Sequence, residues 1–161
     1  MTSAPPFPID PRLDLVLERV VDVPPRLVWA AWTTPHLLKQ WFCPRPWMVV
    51  DCRLDLRPGG EFYTLMQGPD GQQMPMTGCV LEVVEGEKLA FTDALLPGYR
   101  PAPQPFFSAV VQIIPEGSGT RYIATAIHKD EAGREQHEAM GFHQGWNTAL
   151  DQLVETAKAL G

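Results

Sequence analysis

The chain has 161 residues, and its 13 Lys and Arg against 19 Asp and Glu leave a formal net charge of −6. That length suits one domain with its own core, and 45% hydrophobic with 20% charged residues excludes a disordered chain. The acidic balance, with 4 Lys and 9 Arg scattered singly, excludes the basic patch of a nucleic-acid binder and the basic face of a membrane-surface helix.

No run approaches the ~20 apolar residues of a membrane span, and residues 1–10 lack the basic start and apolar stretch of a secretion signal. A cytoplasmic protein is expected. Cys43, Cys52 and Cys79 agree, because an odd, widely spaced set builds neither a disulfide framework nor a CxxC site. Pro5, Pro6, Pro8 and Pro11 mark residues 1–11 as a loose arm, which leaves 12–161 as a single domain.

Residues 13–23 alternate, with Leu13, Leu15 and Leu17 on one face and Asp14, Glu18 and Asp22 on the other, so a first strand is predicted. Pro24-Pro25 ends it and opens a short helix over 26–32. Thr34-Pro35 reads as the cap and first residue of a second short helix over 36–42. The clearest strand follows over 48–57. There Met48, Val50, Cys52, Leu54 and Leu56 form the apolar set, and Asp51, Arg53, Asp55 and Arg57 read as a solvated face.

Pro58-Gly59-Gly60 turns the chain into a strand at 61–67, and further strands are predicted at 76–84, 88–95, 106–114 and 120–129. From about Arg134 the period becomes helical. Phe142, Trp146, Ala149, Leu150, Leu153, Ala157 and Leu160 make one stripe on a helix of about seven turns.

Seven antiparallel strands with one long amphipathic helix give an α+β protein whose sheet must curl around that helix. In such a meander, short glycine-bearing turns gather at one end. Longer loops at 68–75, 96–105 and 130–133 gather at the other, where binding usually sits.

Several segments resemble one family. The run Val28–Pro35 (VWAAWTTP) with Leu38 and Trp41-Phe42 is similar to its opening motif. Asp55–Gly60 (DLRPGG), Met66–Gly71 (MQGPDG), Gly78–Glu85 with Lys88–Thr92, Gly119–Tyr122, and the closing Met140–Phe142, Gly145-Trp146 and Leu150–Leu153 follow in the same order. Together these span about Leu13 to Leu160 and resemble the AHSA-like branch (heat-shock-ATPase-activator homologues) of the START-like, or SRPBCC, helix-grip superfamily. His36 and Arg26 depart from its usual acidic residues.

The resemblance implies a curved seven-stranded antiparallel sheet gripping a C-terminal helix, two short helices between strands one and two, and a deep hydrophobic cavity. Relatives in the wider superfamily bind lipids, sterols, hormones or polyketides, and some are enzymes. The family's eukaryotic co-chaperone carries this domain beside a separate one that docks on the chaperone; no such second domain is expected in these 161 residues, and the co-chaperone role is not carried over.

The candidate ligand-binding residues are Phe62, Met66, Phe91, Phe107, Met140, His143 and Trp146: aromatic and sulfur side chains with one polar tip. The two long loops 68–75 and 96–105 are expected to frame access to them.

His137-Glu138-Ala139-Met140-Gly141 lacks the second His of an HExxH zinc motif. On a continuous helix His143 would stand about 240° from His137, so no metal and no cofactor are expected. Gly141 and Gly145, interior to that helix, imply a close approach by the sheet or by a ligand. His36 and His128 read as surface residues.

The leading expectation is a small protein that binds a hydrophobic or amphipathic molecule. The alternatives are an enzyme of cyclase or hydrolase type, using His143, Tyr63 or Asp93, and a chaperone-related protein-interaction module. A homodimer is a further option that no isolated sequence feature carries.

Overall fold

The computed structural model describes residues 8–161, so the expected arm falls mostly on residues 1–7, outside the described part. From Asp10 the backbone is already held: the amides of Leu13 and Asp14 donate to the Asp10 carbonyl, and the Asp10 amide donates to Asp14 Oδ2.

Proline at the first helical position starts both short helices, α1 (Pro25–Thr33) and α2 (Pro35–Leu38), since its missing N–H is one the helix start leaves unused anyway. They follow β1 (Asp14–Val21) and precede β2 (Met48–Leu54), β3 (Glu61–Gln67), β4 (Gln73–Val84) and β5 (Lys88–Thr92). A two-residue pair, β6 (Leu95–Leu96) with β7 (Arg100–Pro101), leads to β8 (Ser108–Glu116) and β9 (Gly119–Ile127). The chain closes with α3 (Glu131–Ala139) and α4 (Phe142–Lys158).

The main sheet has seven strands in the order β1-β9-β8-β5-β4-β3-β2. Its last six strands form an antiparallel meander, as predicted, and β1 returns onto β9. Strand alternation decides its inner face. Leu17, Phe62, Val80, Leu89, Phe91, Val111, Ile113 and Ala124 pack with Val28, Ala31 and Trp32 of α1 and with Leu150, Leu153 and Ala157 of α4. On the outer face Arg53 lies 4.0 Å from the Tyr63 ring centre and 2.9 Å from Glu61, a solvated arrangement.

Three expectations need correction. In β2 a bulge between Val49 and Asp51 changes the alternation. Val49 turns inward and is 3% exposed, whereas Met48 is 56% exposed. The long helix is two helices. The amides of Met140 and Gly141 donate to Gln136 and Glu138, and Gly141 then takes φ 95°, a left-handed value that ends α3. Gly145 needs no close approach either, because a Cβ there would sit 4.0 Å from Pro44 Cγ, an ordinary contact.

The third concerns the proline-rich loop. The Gly98 amide donates to the Gly59 carbonyl at 2.8 Å, and the Tyr99 ring lies against Gly59 so closely that a Cβ there would stand 2.8 Å from Cε2. Glu61 pairs with Cys79 and Cys79 with Thr92, so the end of β5 lies level with the start of β3, and this loop leaves beside the β2–β3 turn rather than beside residues 68–75 at the other end of β3.

Candidate functional site

The interior between sheet and helices is built from rings. Phe62 and Phe91 come from β3 and β5, both facing inward, and stack with centroids 3.9 Å apart and planes 5° from parallel. Trp32 meets Trp41 edge-on at 4.8 Å and Phe42 at 5.8 Å. The indoles are satisfied: Trp32 Nε1 donates to Tyr122 Oη at 3.0 Å, and Trp41 Nε1 donates to the Ala31 carbonyl at 3.0 Å. Burial drives the Tyr122 phenol well above its ordinary pKa, and the Trp32 bond opposes that. It therefore acts as a neutral hydrogen-bonding post.

Further apolar side chains border this aromatic cluster. Trp47, Met66, Met76, Phe107 and Trp146 pack against it while only partly buried. Thr64 stands between Phe62 and Met66 on the same inward face of β3, opposite Cys52 on one side and Met76 on the other. It is fully buried, and its hydroxyl meets no hydrogen-bond partner among the described residues. An apolar wall with a single unpaired hydroxyl is the composition of a small-molecule site.

Five of the seven candidate residues, Phe62, Met66, Phe91, Phe107 and Trp146, thus share one cluster. The other two stand outside it. Met140 is 66% exposed, and the exposed His143 points Nε2 at Glu138 Oε2, 3.2 Å away. The remaining acid–base candidates do not converge. Tyr63 lies on the outer face under Arg53, and the Asp93 carboxylate accepts from the amides of Phe106 and Phe107 at 2.8 and 3.1 Å. No group of metal-ligating side chains is assembled among the described residues.

A second feature escaped sequence reasoning. His128 is buried, not on the surface: Nδ1 lies 2.7 Å from the Leu13 carbonyl and Nε2 lies 2.9 Å from Nδ1 of His137. The His137 ring has Phe106, Phe107, Phe142 and Trp146 around it at centroid distances of 4.8–6.0 Å. Position parity carried the signal, because His128 continues the inward series Ala124, Ala126 of β9.

Two surface concavities accompany these clusters. One of about 180 Å³ is lined by Phe106, Phe107, Ser108 and His128, and one of about 430 Å³ lies over Ala90, Ser108, Val110 and Ile127. Cys43, Cys52 and Cys79 are all free and buried, and burial pushes the thiols of Cys43 and Cys52 up to about 11.

A curved antiparallel sheet closed around α4 over an aromatic interior defines a helix-grip domain. A family profile described as "Activator of Hsp90 ATPase homolog 1-like protein" matches residues 22–158, and the chain belongs to that family. A solved structure from Nitrosomonas europaea is 52% identical, with a TM-score of 0.91 over 94% of this chain and 97% of that one. An AHSA1-like protein from Aeromonas hydrophila is 23% identical, with a TM-score of 0.71 over 92% and 94% of the two chains. A protein from Rhodobacter sphaeroides, 23% identical, gives 0.80 over 93% and 95%. The last two bear on the fold alone. Comparison with curated proteins finds no match.

Proposed function

We propose that residues 12–161 form a cytoplasmic binding domain for a hydrophobic or amphipathic small molecule. The ligand sits at the partly buried border of the interior, against Met66, Phe107 and Trp146, with Phe62 and Phe91 behind it. Thr64 supplies the polar contact. The observation that carries this reading is the fully buried, unpaired Thr64 hydroxyl among apolar side chains. Leaving such a group unbonded costs about 1–3 kcal/mol, which a ligand donor or acceptor would recover. Three free buried thiols suit a reducing compartment. No helix among the described residues is long and apolar enough to cross a membrane.

The test compares 2-naphthol with naphthalene, followed by quenching of tryptophan fluorescence. Thr64→Val should weaken 2-naphthol by about 5-fold, the equivalent of ~1 kcal/mol, and leave naphthalene unchanged. Equal effects on both probes, or quenching that never saturates, would reject the site.

A further inference from the structure

The helix α3 is held to the rest of the protein by one buried side chain, and that side chain is a histidine. Across Glu131–Ala139 only His137 is buried, while Glu131, Glu135, Gln136 and Glu138 face solvent. Beneath it lie Phe106, Phe107, Phe142 and Trp146. Arg134 leaves its buried Nε without a partner among the described residues, so the rest of this underside is poorly satisfied.

The hydrogen bonds fix the protonation of the neutral pair. A carbonyl only accepts, so His128 carries its proton on Nδ1 toward Leu13. Its Nε2 is therefore the acceptor, and His137 Nδ1–H is the donor. The chain Leu13–His128–His137 joins the start of β1, the end of β9 and α3; a proton added at His137 Nε2 leaves these bonds in place but puts a charge among four aromatic rings, which burial opposes.

We propose that α3 is an acid-released flap: the neutral His128–His137 pair pins it over Phe106, Phe107 and Trp146, and a proton taken up by the pair frees it to swing about Gly141. The release stands whether or not a ligand binds at the site proposed above. The hinge is the left-handed Gly141 at φ 95°. At the other end Asp130 caps α3, its side chain accepting from the Gly133 amide at 2.7 Å.

Burial, and secondarily the neighbouring His128, hold His137 down at about 4 against a free value of 6.5. A depressed base means that the closed form binds fewer protons than the open form between those values. Closure is therefore complete above 6.5 and is lost as the pH falls toward 4. With these two values the opening constant rises about 20-fold between pH 7 and pH 5.

The surrounding charges do not bond either imidazole. Asp14 of β1 bonds the Asp10 amide, and Asp93 bonds the amides of Phe106 and Phe107. Glu131 is paired with Arg12 at 4.0 Å, and Arg134 with Glu138 at 3.4 Å. Lys129 and Asp130 are exposed at the end of β9. His143 of α4, when charged, strengthens its link to Glu138 and opposes release, but weakly, because both are exposed.

A nine-residue helix without packing does not persist in water, so release appears as lost amide protection over 131–139. Hydrogen exchange read by peptide mass spectrometry, corrected for intrinsic rates, should show the opening constant there rising about 20-fold from pH 7 to pH 5. Peptides from 149–158 should not change. His137→Gln, which still offers a donor to His128 but cannot titrate, should abolish the response.

Less than a threefold change in the wild type, parallel loss of protection in 149–158, or a persisting response in His137→Gln would overturn the proposal. A histidine NMR titration serves even if the variant fails to fold. A His137 signal titrating below about 5 supports the flap, and one above 6.5, as rings stabilising an imidazolium would produce, overturns it.

Discussion

Replacing Phe91 by alanine measures whether the interior behind the candidate site is packed or hollow. Phe91 is 3% exposed, stacks on Phe62 at 3.9 Å, and has Trp32 at 5.9 Å. Its register neighbours Val80 and Ala109 are equally buried. Removing a ring from such surroundings costs about 3–5 kcal/mol, of which the stacked pair accounts for about 0.5–1.5. A domain of this kind has about 5–15 kcal/mol in hand, so the variant folds with a reduced margin. Taking ~4 kcal/mol and a urea slope of ~2 kcal/mol/M, the unfolding midpoint falls by about 2 M. The assay is equilibrium urea unfolding followed by circular dichroism, with slopes compared between the proteins. A Phe62→Ala variant and the double variant close a cycle whose coupling should be about 1 kcal/mol. A midpoint shift below about 0.5 M at unchanged slope would refute the reasoning. The ring would then already border empty space, and the cavity would reach much deeper than Met66 and Trp146.

Two further outcomes follow from single groups. Asp93→Ala removes the acceptor that closes the neck of the 94–105 loop at the Phe106 and Phe107 amides. It should cost about 1–3 kcal/mol and speed proteolysis within that loop, and wild-type resistance in the variant would rule this out. With thiols pushed up to about 11 against an ordinary 9.0, Cys43 and Cys52 should alkylate at pH 8 roughly a hundredfold more slowly than a free thiol. Labelling within tenfold of free cysteine under native conditions would count against their burial.

The sheet was legible because alternation is a local signal: Leu15 and Leu17 in β1, and Phe62 and Met66 in β3, face where their parity puts them. What escaped was decided elsewhere. The bulge at Val49/Asp51 inverts one half of β2, and an unbroken run of alternating residues does not announce where a register slips. The apolar stripe runs through Gly141, so helical period alone joins α3 to α4, although a glycine after His137 and Met140 is also a helix stop. The seating of the 93–105 segment on the β2–β3 turn includes Tyr99 meeting Gly59, a contact 40 residues away that no local pattern encodes. Of the candidate site, Phe62, Met66 and Phe91 were readable from strand parity, and Trp146 from helical period. The unpaired state of Thr64 was not, because it depends on what Cys52 and Met76 fail to offer.

Apart from the Tyr99–Gly59 contact, these misses gather around α3, the start of α4 and the end of β3, and the packing of α4 differs along its length. From 149 to 157, Ala149, Leu150, Gln152, Leu153, Thr156 and Ala157 are all buried. Gln152 adds three bonds to the segment after α2, donating to the carbonyls of Trp41 and Cys43 and accepting from the Arg45 amide. From 143 to 148 no residue is fully buried, and Trp146 shares its surroundings with His137 and Phe107 rather than with the main core alone. Local stability follows such differences in packing. One half of α4 is therefore fixed scaffold. The other half, with Trp146 beside His137 of α3, is where a small change in charge can move the backbone without unfolding the sheet.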